Sequence, residues 1–253
     1  MSGTFVIAEA GSTHDCEISR AFQLVNKAKE AGADAVKFQW WSSAERLAER
    51  RNAQKYLPVY QKYKVPDVWL SWLHLACVAN GIEFMCTVYL PEDIPFVDLW
   101  VNRFKVASFE AKDLEFVTAH FAYKKQVIVS TGMQDVVPNI HHPYLYYLHC
   151  VSAYPCPLDQ ANLRAIGDYI GYSDHTRNVL TGALAVAAGA KIIEVHFRLD
   201  DTDPENPDYA TALSPGQLKD YVALIRQAEV MLGDGVKKPQ PAEADMMRYR
   251  VKS

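Results

Sequence analysis

Two histidines stand at the ends of two apolar segments that follow one another along the sequence, an arrangement that could hold a metal ion. The first segment reads YIGYSDH and ends at His175, and the second reads IIEVHF and contains His196. An alanine-rich stretch typical of a helix lies between them, which predicts a βαβ unit with parallel strands. Because side chains alternate faces along a strand, Ser173 lies on the side of His175, and Glu194 on the side of His196. If both sides face one interior, the two imidazoles converge on one point.

Each of these side chains also has a simpler interpretation. A single histidine at a strand end is commonly a structural hydrogen-bonding group, and the metal hypothesis depends on there being two on neighbouring strands. Glu194 is interpreted as orienting His196 or a nearby lysine rather than as binding a metal directly. Imidazole combined with oxygen-rich substrate ligands suits manganese, cobalt or zinc, so the donor set alone does not select the ion.

Composition bounds the class of protein. The chain has 253 residues, of which 49% are hydrophobic, enough for one large α/β domain and too many for a disordered chain. A net charge of −4 with mixed signs argues against a nucleic-acid-binding protein. The five cysteines are an odd number without a CxxC motif, which indicates reduced thiols. Neither a signal peptide nor a membrane-spanning run is evident, so we expect a cytoplasmic protein without a membrane partner.

Strand-like apolar segments alternate with helical patterns along nearly the whole chain. Eight such strands predict an α/β fold, a (β/α)8 TIM barrel in residues 1–236, with an arm or linker in residues 237–253. The interval between the fifth and sixth predicted strands is short and contains prolines, so one outer helix is predicted to be missing or shortened. Residues 42–64 are predicted to be a long loop on the active-site side.

Two outer helices have recognisable ends in the sequence. The helix after Pro66 is expected to end at Asn80-Gly81, and the last helix to begin at a Ser214-Pro215-Gly216-Gln217 capping box. Helical spacing predicts that the first of them buries Trp72 and that the second buries Leu232, together with their apolar neighbours.

The C-terminal strand ends of such a barrel form its active-site face. All eight predicted strands end in polar side chains: Glu9, Lys37 with Gln39, Thr87, Lys105 with Ser108 and Glu110, Ser130, Ser152, Ser173 with His175, and Glu194 with His196. Lys37 and Lys105 lie inside apolar strands, where a charge is costly unless an anion meets it. Two lysines and a ring of hydroxyls predict a site for a phosphate and a carboxylate. Ser130 and Ser152 could instead be satisfied core hydroxyls.

The sequence resembles the sialic acid synthase (N-acetylneuraminate synthase) family in motifs spread over essentially the whole chain. They read AEAG, GADAVKFQ, FKVASFE, VSTGM, LHCVSAYP, GYSDHT and IEVHF, with DGVKKPQPAE in the tail. The resemblance implies a TIM barrel that condenses phosphoenolpyruvate with an N-acylated aldose like N-acetylmannosamine, giving a 2-keto-3-deoxy sugar acid and phosphate. It also implies a divalent metal ion, Mn²⁺ first, with Co²⁺, Mg²⁺ or Zn²⁺ as alternatives.

The same resemblance assigns roles to individual positions. His175 and His196 resemble the metal ligands. Positions that bind phosphoenolpyruvate are matched by Lys37, Thr87, Lys105, Ser108, Ser130, Ser152 and Ser173. Positions that face the sugar are matched by Gln39, Glu110 and Asp208. Asp15 lies where the family has a glutamate or asparagine near the reacting centre, so the implied catalytic set is Asp15, Glu110, His175 and His196.

The chain also departs from the family in ways that leave alternatives open. Asp15 could merely cap the helix that starts near Ile18. Family members continue beyond the position of Ser253 into an antifreeze-like domain that lends an arginine to the sugar site of a partner subunit. We therefore expect that domain as a separate partner, and a homodimer through apolar surface near Tyr144 and Tyr146 that the missing helix exposes.

Two other classes of protein compete with a synthase. A metal-dependent barrel hydrolase would share the histidines, but such enzymes usually carry an HxH pair after the first strand, and FVIAEAG has none. The stronger alternative is a catalytically incomplete barrel that needs a separate partner domain, or a non-catalytic binder.

Overall fold

Eight parallel strands close into a barrel in chain order, which confirms the predicted TIM barrel. The computed structural model describes residues 3–136 and 140–251. The strands are β1 (Phe5–Gly11), β2 (Ala35–Gln39), β3 (Glu83–Thr87), β4 (Arg103–Val106), β5 (Gln126–Ser130), β6 (Leu145–Cys150), β7 (Gly171–Asp174) and β8 (Ile192–His196). The α-helices are α1 (Ile18–Glu30), α2 (Ala44–Arg50), α3 (Leu57–Lys62), α4 (Val68–Asn80), α5 (Ile94–Asp98), α6 (Leu114–Ala119), α7 (Thr181–Ala187) and α8 (Pro215–Leu232).

The period of two along the strands sets the vertical order inside the barrel. A lower interior layer is apolar and consists of Ile7, Ala35, Met85, Ile128, Leu148 and Ile192. Two positions further along the same strands come the residues Glu9, Lys37, Thr87, Ser130, Cys150 and Glu194. Side chains two apart point to the same face of a strand, so a polar layer lies directly above an apolar one. The site therefore has a buried, apolar base.

The two predicted helix boundaries are confirmed, and two burial predictions are wrong. Gly81 ends α4 in the left-handed conformation, and the capping box at Ser214 opens α8. Trp72 is 45% exposed and Leu232 is 50% exposed, so neither belongs to the core. The face of α4 that meets the barrel is formed by Trp69, Leu70, Leu73 and Cys77 instead.

The outer wall is thin beside β6. Residues 131–136 and 140–144, the described part of the segment between β5 and β6, contain no helix, and residues 137–139 lie outside the described residues. Leu145 and Tyr147 of β6 pack outward and remain partly exposed. Tyr146 packs against the lower interior layer instead, so it does not form the expected outer surface. The homodimer stays a prediction.

Residues 42–64 are helical rather than a loop. Ser43 caps α2 by accepting a hydrogen bond from the backbone of Arg46, and a short 3₁₀ turn, Gln54–Tyr56, leads into α3. The segment packs as a small separate cluster of Trp41, Ala44, Leu47, Tyr63 and Tyr89 above the barrel. The serine cap and the spacing of Ala44, Leu47 and Ala48 are the sequence signals that indicate α2.

The segment after α8 is exposed along residues 233–251 and contains only two short 3₁₀ turns, Pro241–Glu243 and Met247–Tyr249. A division of the chain at residue 236 stays a prediction. Among the described residues, no helix is both long and apolar enough to cross a bilayer.

Candidate active site

A cavity of about 450 Å³ opens at the C-terminal end of the barrel. Ten of the predicted site residues line it: Lys37, Gln39, Thr87, Lys105, Ser108, Ser130, Ser173, His175, His196 and Asp208. They come from β2, β3, β4, β5, β7 and β8 and from the segments that follow β4, β7 and β8. Because the C-terminal ends of the strands meet at one face of the barrel, most of the predicted residues lie in one place.

The floor of the cavity is a buried network of two lysines and two carboxylates. Nζ of Lys37 lies 2.6 Å from Oε2 of Glu9 and 3.6 Å from Oε2 of Glu194. Nζ of Lys105 lies 3.4 Å from Oε1 of Glu194. The protein itself therefore supplies carboxylates to both interior lysines, because β1 pairs with β2 on one side and, by barrel closure, with β8 on the other. The contact of Glu194 with the lysines agrees with the interpretation that it orients a nearby lysine.

Hydroxyls complete the floor. Lys37 donates to Oγ1 of Thr87 at 2.6 Å, and Lys105 donates to Oγ of Ser130 at 2.9 Å. Ser173 donates to Glu194 at 3.1 Å. Each lysine thus lies beside a hydroxyl, so that an ammonium group and a hydroxyl group can both donate hydrogen bonds to an incoming anion.

The two floor carboxylates differ in protonation. Burial alone would raise the pKa of Glu194, but Lys105 and Lys37 outweigh it and lower the pKa to about 2. Burial raises the pKa of Glu9 to about 7, although Lys37 opposes the rise, and the charge of Glu194 adds to it. Glu194 is therefore the fixed counter-ion of both lysines, and Glu9 is the group that can take up a proton near neutral pH.

The two histidines converge as predicted. Their ring centroids lie 5.4 Å apart on adjacent strand ends. Nδ1 of His175 lies 2.7 Å from the carbonyl oxygen of Val151, which fixes the ring and leaves Nε2 free of that bond. Burial lowers the pKa of His196 to about 4, with Asp208 opposing, so this imidazole is neutral at pH 7. The Nδ1 atom of His196 is buried without a hydrogen-bond partner among the described residues.

A neutral buried imidazole with an unpartnered nitrogen beside a second imidazole fits a divalent metal ion. The described residues contain no cluster of three or more His, Cys, Asp or Glu side chains that could enclose a metal. The donor set is therefore two protein nitrogens, and oxygens of a substrate or water would have to supply the rest. Asp208 approaches His196 from the side, with 3.6 Å between Oδ1 and Nδ1.

Asp208 is held in place by the end of β1. Its Oδ2 accepts hydrogen bonds from the backbone NH and the hydroxyl of Ser12, at 2.8 and 2.7 Å. Gly11 has a φ of +50°, and a Cβ added there would overlap this same carboxylate. The close approach of Asp208 to the backbone therefore requires glycine at this position.

Three predicted site residues lie outside the cavity lining. Glu110 is buried and bonded to Arg51 in an adjoining cleft. Ser152 packs against Gly132, and its buried Oγ has no hydrogen-bond partner among the described residues.

Asp15 belongs to a structural network beside the site. It forms an ion pair with Arg20 at 3.0 Å and accepts hydrogen bonds from Asn206 and from the backbone of Asp203. These contacts tie the loop after β1 to the loop after β8. The helix-cap alternative is wrong, because the N-cap of α1 is Glu17 and has no side-chain cap bond.

Several lining residues had been given no role in the predicted site, and four of them contact its polar groups or carry charge. Glu9 and Cys150 belong to the polar layer, and Tyr154 packs against His175 with 4.2 Å between ring centroids. The fourth, Arg51, follows α2. The period of two locates Glu9 and Cys150 and the quoted AYP motif contains Tyr154, whereas no local signal places Arg51.

Fold and site together define a (β/α)8 barrel whose C-terminal strand ends carry two buried lysines, a set of hydroxyls and two imidazoles. Residues 24–237 match the model of the NeuB family, and the chain belongs to that family. This confirms the resemblance seen in the sequence motifs.

Named relatives agree with this assignment. The chain is 36% identical to the N,N'-diacetyllegionaminic acid synthase of Legionella pneumophila, over 94% of this chain and 76% of the relative. It is 32% identical to a pseudaminic acid synthase of Campylobacter jejuni, over 91% of this chain and 75% of the relative. Among solved structures, it superposes on an N-acetylneuraminic acid (sialic acid) synthetase of Leptospira borgpetersenii with a TM-score of 0.86 and 28% identity. That match covers 98% of this chain and 91% of the other.

Proposed function

We propose that this protein condenses phosphoenolpyruvate with an N-acylated aldose to give a 2-keto-3-deoxy sugar acid and inorganic phosphate. The observation that carries the proposal is the convergence of Lys37, Lys105, their hydroxyl partners and two imidazoles in one cavity of about 450 Å³. The names of two relatives, an N,N'-diacetyllegionaminic acid synthase and a pseudaminic acid synthase, support the same reaction class.

The charge balance of the floor suits a phosphorylated carboxylate. With Glu194 ionised and Glu9 protonated, the two lysines leave a net positive charge beside the hydroxyls of Thr87 and Ser130. An incoming anion stabilises the protonated form of Glu9 further, since like charges disfavour ionisation. Protonation of Glu9 would thus change the floor from a network in which two carboxylates balance two lysines to one with a net positive charge that binds an anion.

In the proposed reaction, C3 of phosphoenolpyruvate forms a carbon–carbon bond with the aldehyde carbon of the open-chain sugar. The aldehyde oxygen gains a proton and becomes a hydroxyl. Water adds at C2, the C2–O bond to the phosphate breaks, and the resulting ketone stays at C2. Lys37 and Lys105 hold the phosphate and carboxylate groups, which orients C3 toward the sugar.

His175 and His196 would hold the divalent ion, with Mn²⁺ as the first choice. When bound, such an ion supplies Lewis acidity to a carbonyl oxygen and a template for the two substrates. The chain's own contribution is to keep His196 neutral by burial and to orient His175 through Val151. Asp208 and Gln39 line the side of the cavity nearest these rings and would bind sugar hydroxyls.

The direct test is titration calorimetry of phosphoenolpyruvate in the presence of Mn²⁺, paired with a phosphate-release assay containing N-acetylmannosamine. We expect binding and release of phosphate that depends on the sugar. No binding of phosphoenolpyruvate would refute the synthase. Binding without turnover on any aldose would identify the incomplete barrel that needs a separate partner domain.

A further inference from the structure

The cavity has a second half with a different character from its floor. Its mouth is formed by the segment that contains α2 and α3 together with the residue after Ser108. The exposed apolar side chains there are Tyr56, Val59 and Phe109, with exposures of 48%, 36% and 56%. Open apolar surface at a cavity mouth is typical of ligand contact.

Arg51 stands between the floor and this mouth. Its guanidinium carbon lies 4.8 Å from the ring centroids of both Tyr89 and Phe109, and 5.8 Å from that of Tyr60. Nε donates to Oε1 of Glu110 at 2.7 Å, and Nη1 contacts the Tyr60 hydroxyl at 3.3 Å. Within the described residues, Nη2 has no hydrogen-bond partner. The aromatic rings hold the guanidinium plane, so its free N–H groups are preorganised for an acceptor.

The charge of Arg51 is already neutralised. Glu110 is 3% exposed and has Arg51 as its ion-pair partner. In the adjoining cleft, Arg50 is paired with Asp113 at 2.6 Å, so each of these two arginines already has a carboxylate partner. A phosphate that took Arg51 away from Glu110 would leave a buried carboxylate unpaired, which is strongly destabilising.

A neutral acceptor fits the same geometry without that penalty. An amide carbonyl needs one or two N–H donors and no counter-charge, and Arg51 can supply them while it keeps its bond to Glu110. The methyl group of an acylamino substituent would then contact Tyr56, Val59 and Phe109. One end of such a substituent is thus matched by a donor and the other by apolar surface.

We propose that Arg51 is a specificity-determining residue that selects an uncharged, acylated aldose and discriminates against a phosphorylated one. The inference rests on the proposed condensation and specifies its acceptor. The floor binds the anionic substrate, and the mouth, because of the Arg51–Glu110 pair, binds the neutral one.

The test compares N-acetylmannosamine with N-acetylmannosamine 6-phosphate, and with mannose, in the phosphate-release assay at saturating phosphoenolpyruvate and Mn²⁺. We expect the wild type to have a kcat/KM at least tenfold higher for N-acetylmannosamine than for its phosphate or for mannose. Arg51→Met should raise the KM for N-acetylmannosamine by about tenfold to a hundredfold, as expected for a lost bond to a charged donor. Its KM for phosphoenolpyruvate should change less than twofold.

Three further variants separate this role from a structural one. Arg50→Met removes the neighbouring ion-paired arginine, which does not line the main cavity, and should leave both KM values within twofold. Tyr56→Ala, at a half-exposed position, should raise only the sugar KM, by a few fold. Glu110→Gln uncovers the charge of Arg51 and should improve kcat/KM for the phosphorylated sugar relative to the neutral one.

The outcomes divide cleanly. A wild type that prefers the 6-phosphate, or an Arg51→Met variant whose sugar KM is unchanged, would overturn this inference while the condensation stands. Calorimetry of phosphoenolpyruvate on the same samples reports on the condensation independently. If phosphoenolpyruvate does not bind the wild type, the proposed function fails first and this inference with it.

Discussion

The floor and the mouth of the cavity are built by different physical means. The floor consists of strand ends whose lysines and carboxylates are almost fully buried and paired with one another. The mouth consists of short helices that pack in their own cluster above the barrel and leave aromatic side chains exposed. Buried ion networks tolerate little change, because removing one charged partner leaves the other buried without a counter-ion. An exposed apolar wall, by contrast, can vary without unfolding the barrel.

This difference teaches which substrate each half can specify. A floor fixed by eight strands suits the substrate that all members of a reaction class would share, here the anionic one. A mouth that is added on top of the barrel suits the substrate that differs between related enzymes. Substitutions in the floor and in the mouth can show whether the two halves of the cavity act separately.

The largest effect is expected from the floor lysine Lys105. Lys105→Met removes a charge-assisted donor next to Ser130 and should lower kcat/KM for phosphoenolpyruvate by about 10²–10³-fold. Phosphate release measures it, and Lys191→Met, at an exposed position just before β8, serves as the matched control. A change of less than threefold in Lys105→Met would show that the floor does not bind the anion.

A pH-dependent effect on stability is expected from Glu9. Its pKa is raised from 4.5 to about 7 by burial. Between these pH values the unfolded chain ionises the carboxyl while the folded protein keeps it protonated, so stability decreases as pH rises through this window. Glu9→Gln removes this titration and should gain roughly 2–3 kcal/mol relative to wild type between pH 5 and pH 8.

Urea unfolding of both proteins at the two pH values measures this gain. Glu205→Gln, at an exposed position, is the matched control and should follow the wild type. Parallel pH profiles for wild type and Glu9→Gln would contradict the assignment of Glu9 as the proton-accepting member of the floor.

Metal affinity should depend on the histidine pair alone. His196→Ala is expected to weaken Mn²⁺ binding by at least about 10–100-fold, the loss typical of groups that only support a ligand. Electron paramagnetic resonance titration of free Mn²⁺ measures the affinity. His142→Ala changes a histidine that stacks on Phe121 on the outer wall and should bind Mn²⁺ like the wild type. Equal affinities in all three proteins would rule out the proposed metal site.

The smallest effect concerns the junction of floor and mouth at Gly11. Gly11→Ala adds a Cβ at a φ of +50° and forces it against Asp208, so it should lower the free energy of unfolding by about 1–3 kcal/mol. The sugar KM should rise as well, because Asp208 must move. Gly216→Ala, where nothing lies within 4 Å of an added Cβ, should be neutral or slightly stabilising by comparison. Thermal denaturation that ranks the two variants the other way would refute this account of Gly11.

The residues of the floor could be predicted from the sequence because their positions follow from the alternation of side chains along each strand. A period of two along apolar strands places Lys37, Ser130 and Glu194 above an apolar layer, and strand ends of a barrel meet at one face. The pairing of Lys37 with Glu9 was not predicted, although the two residues are opposite each other on the neighbouring strands β1 and β2. Glu194 was expected to orient a nearby lysine, but its position beside both lysines depends on the closure of β1 against β8. Such neighbours are distant in sequence, and no local pattern states which inward side chains touch.

The residues of the mouth were harder to predict from the sequence, for a different reason. Helices as short as α2 and α3 have little intrinsic stability, and their burial against Tyr89 comes from tertiary packing. Arg51 follows α2 in a charged stretch, and such a stretch is typical of a solvent-exposed surface. Its partner Glu110 comes from another segment of the chain, so the sequence does not indicate that the two residues pair. Asp15 shows the reverse case, since a motif position suggested chemistry where the structure shows a network that joins two loops.

The most direct test of the central claim is NMR of phosphoenolpyruvate labelled with ¹³C at C3, incubated with N-acetylmannosamine and Mn²⁺. The account predicts that the label moves into a methylene group bonded to a new carbinol carbon, with one inorganic phosphate formed per 2-keto acid. Omission of the sugar should leave phosphoenolpyruvate intact. Unchanged phosphoenolpyruvate in the complete mixture, or its conversion only to labelled pyruvate, would contradict the account.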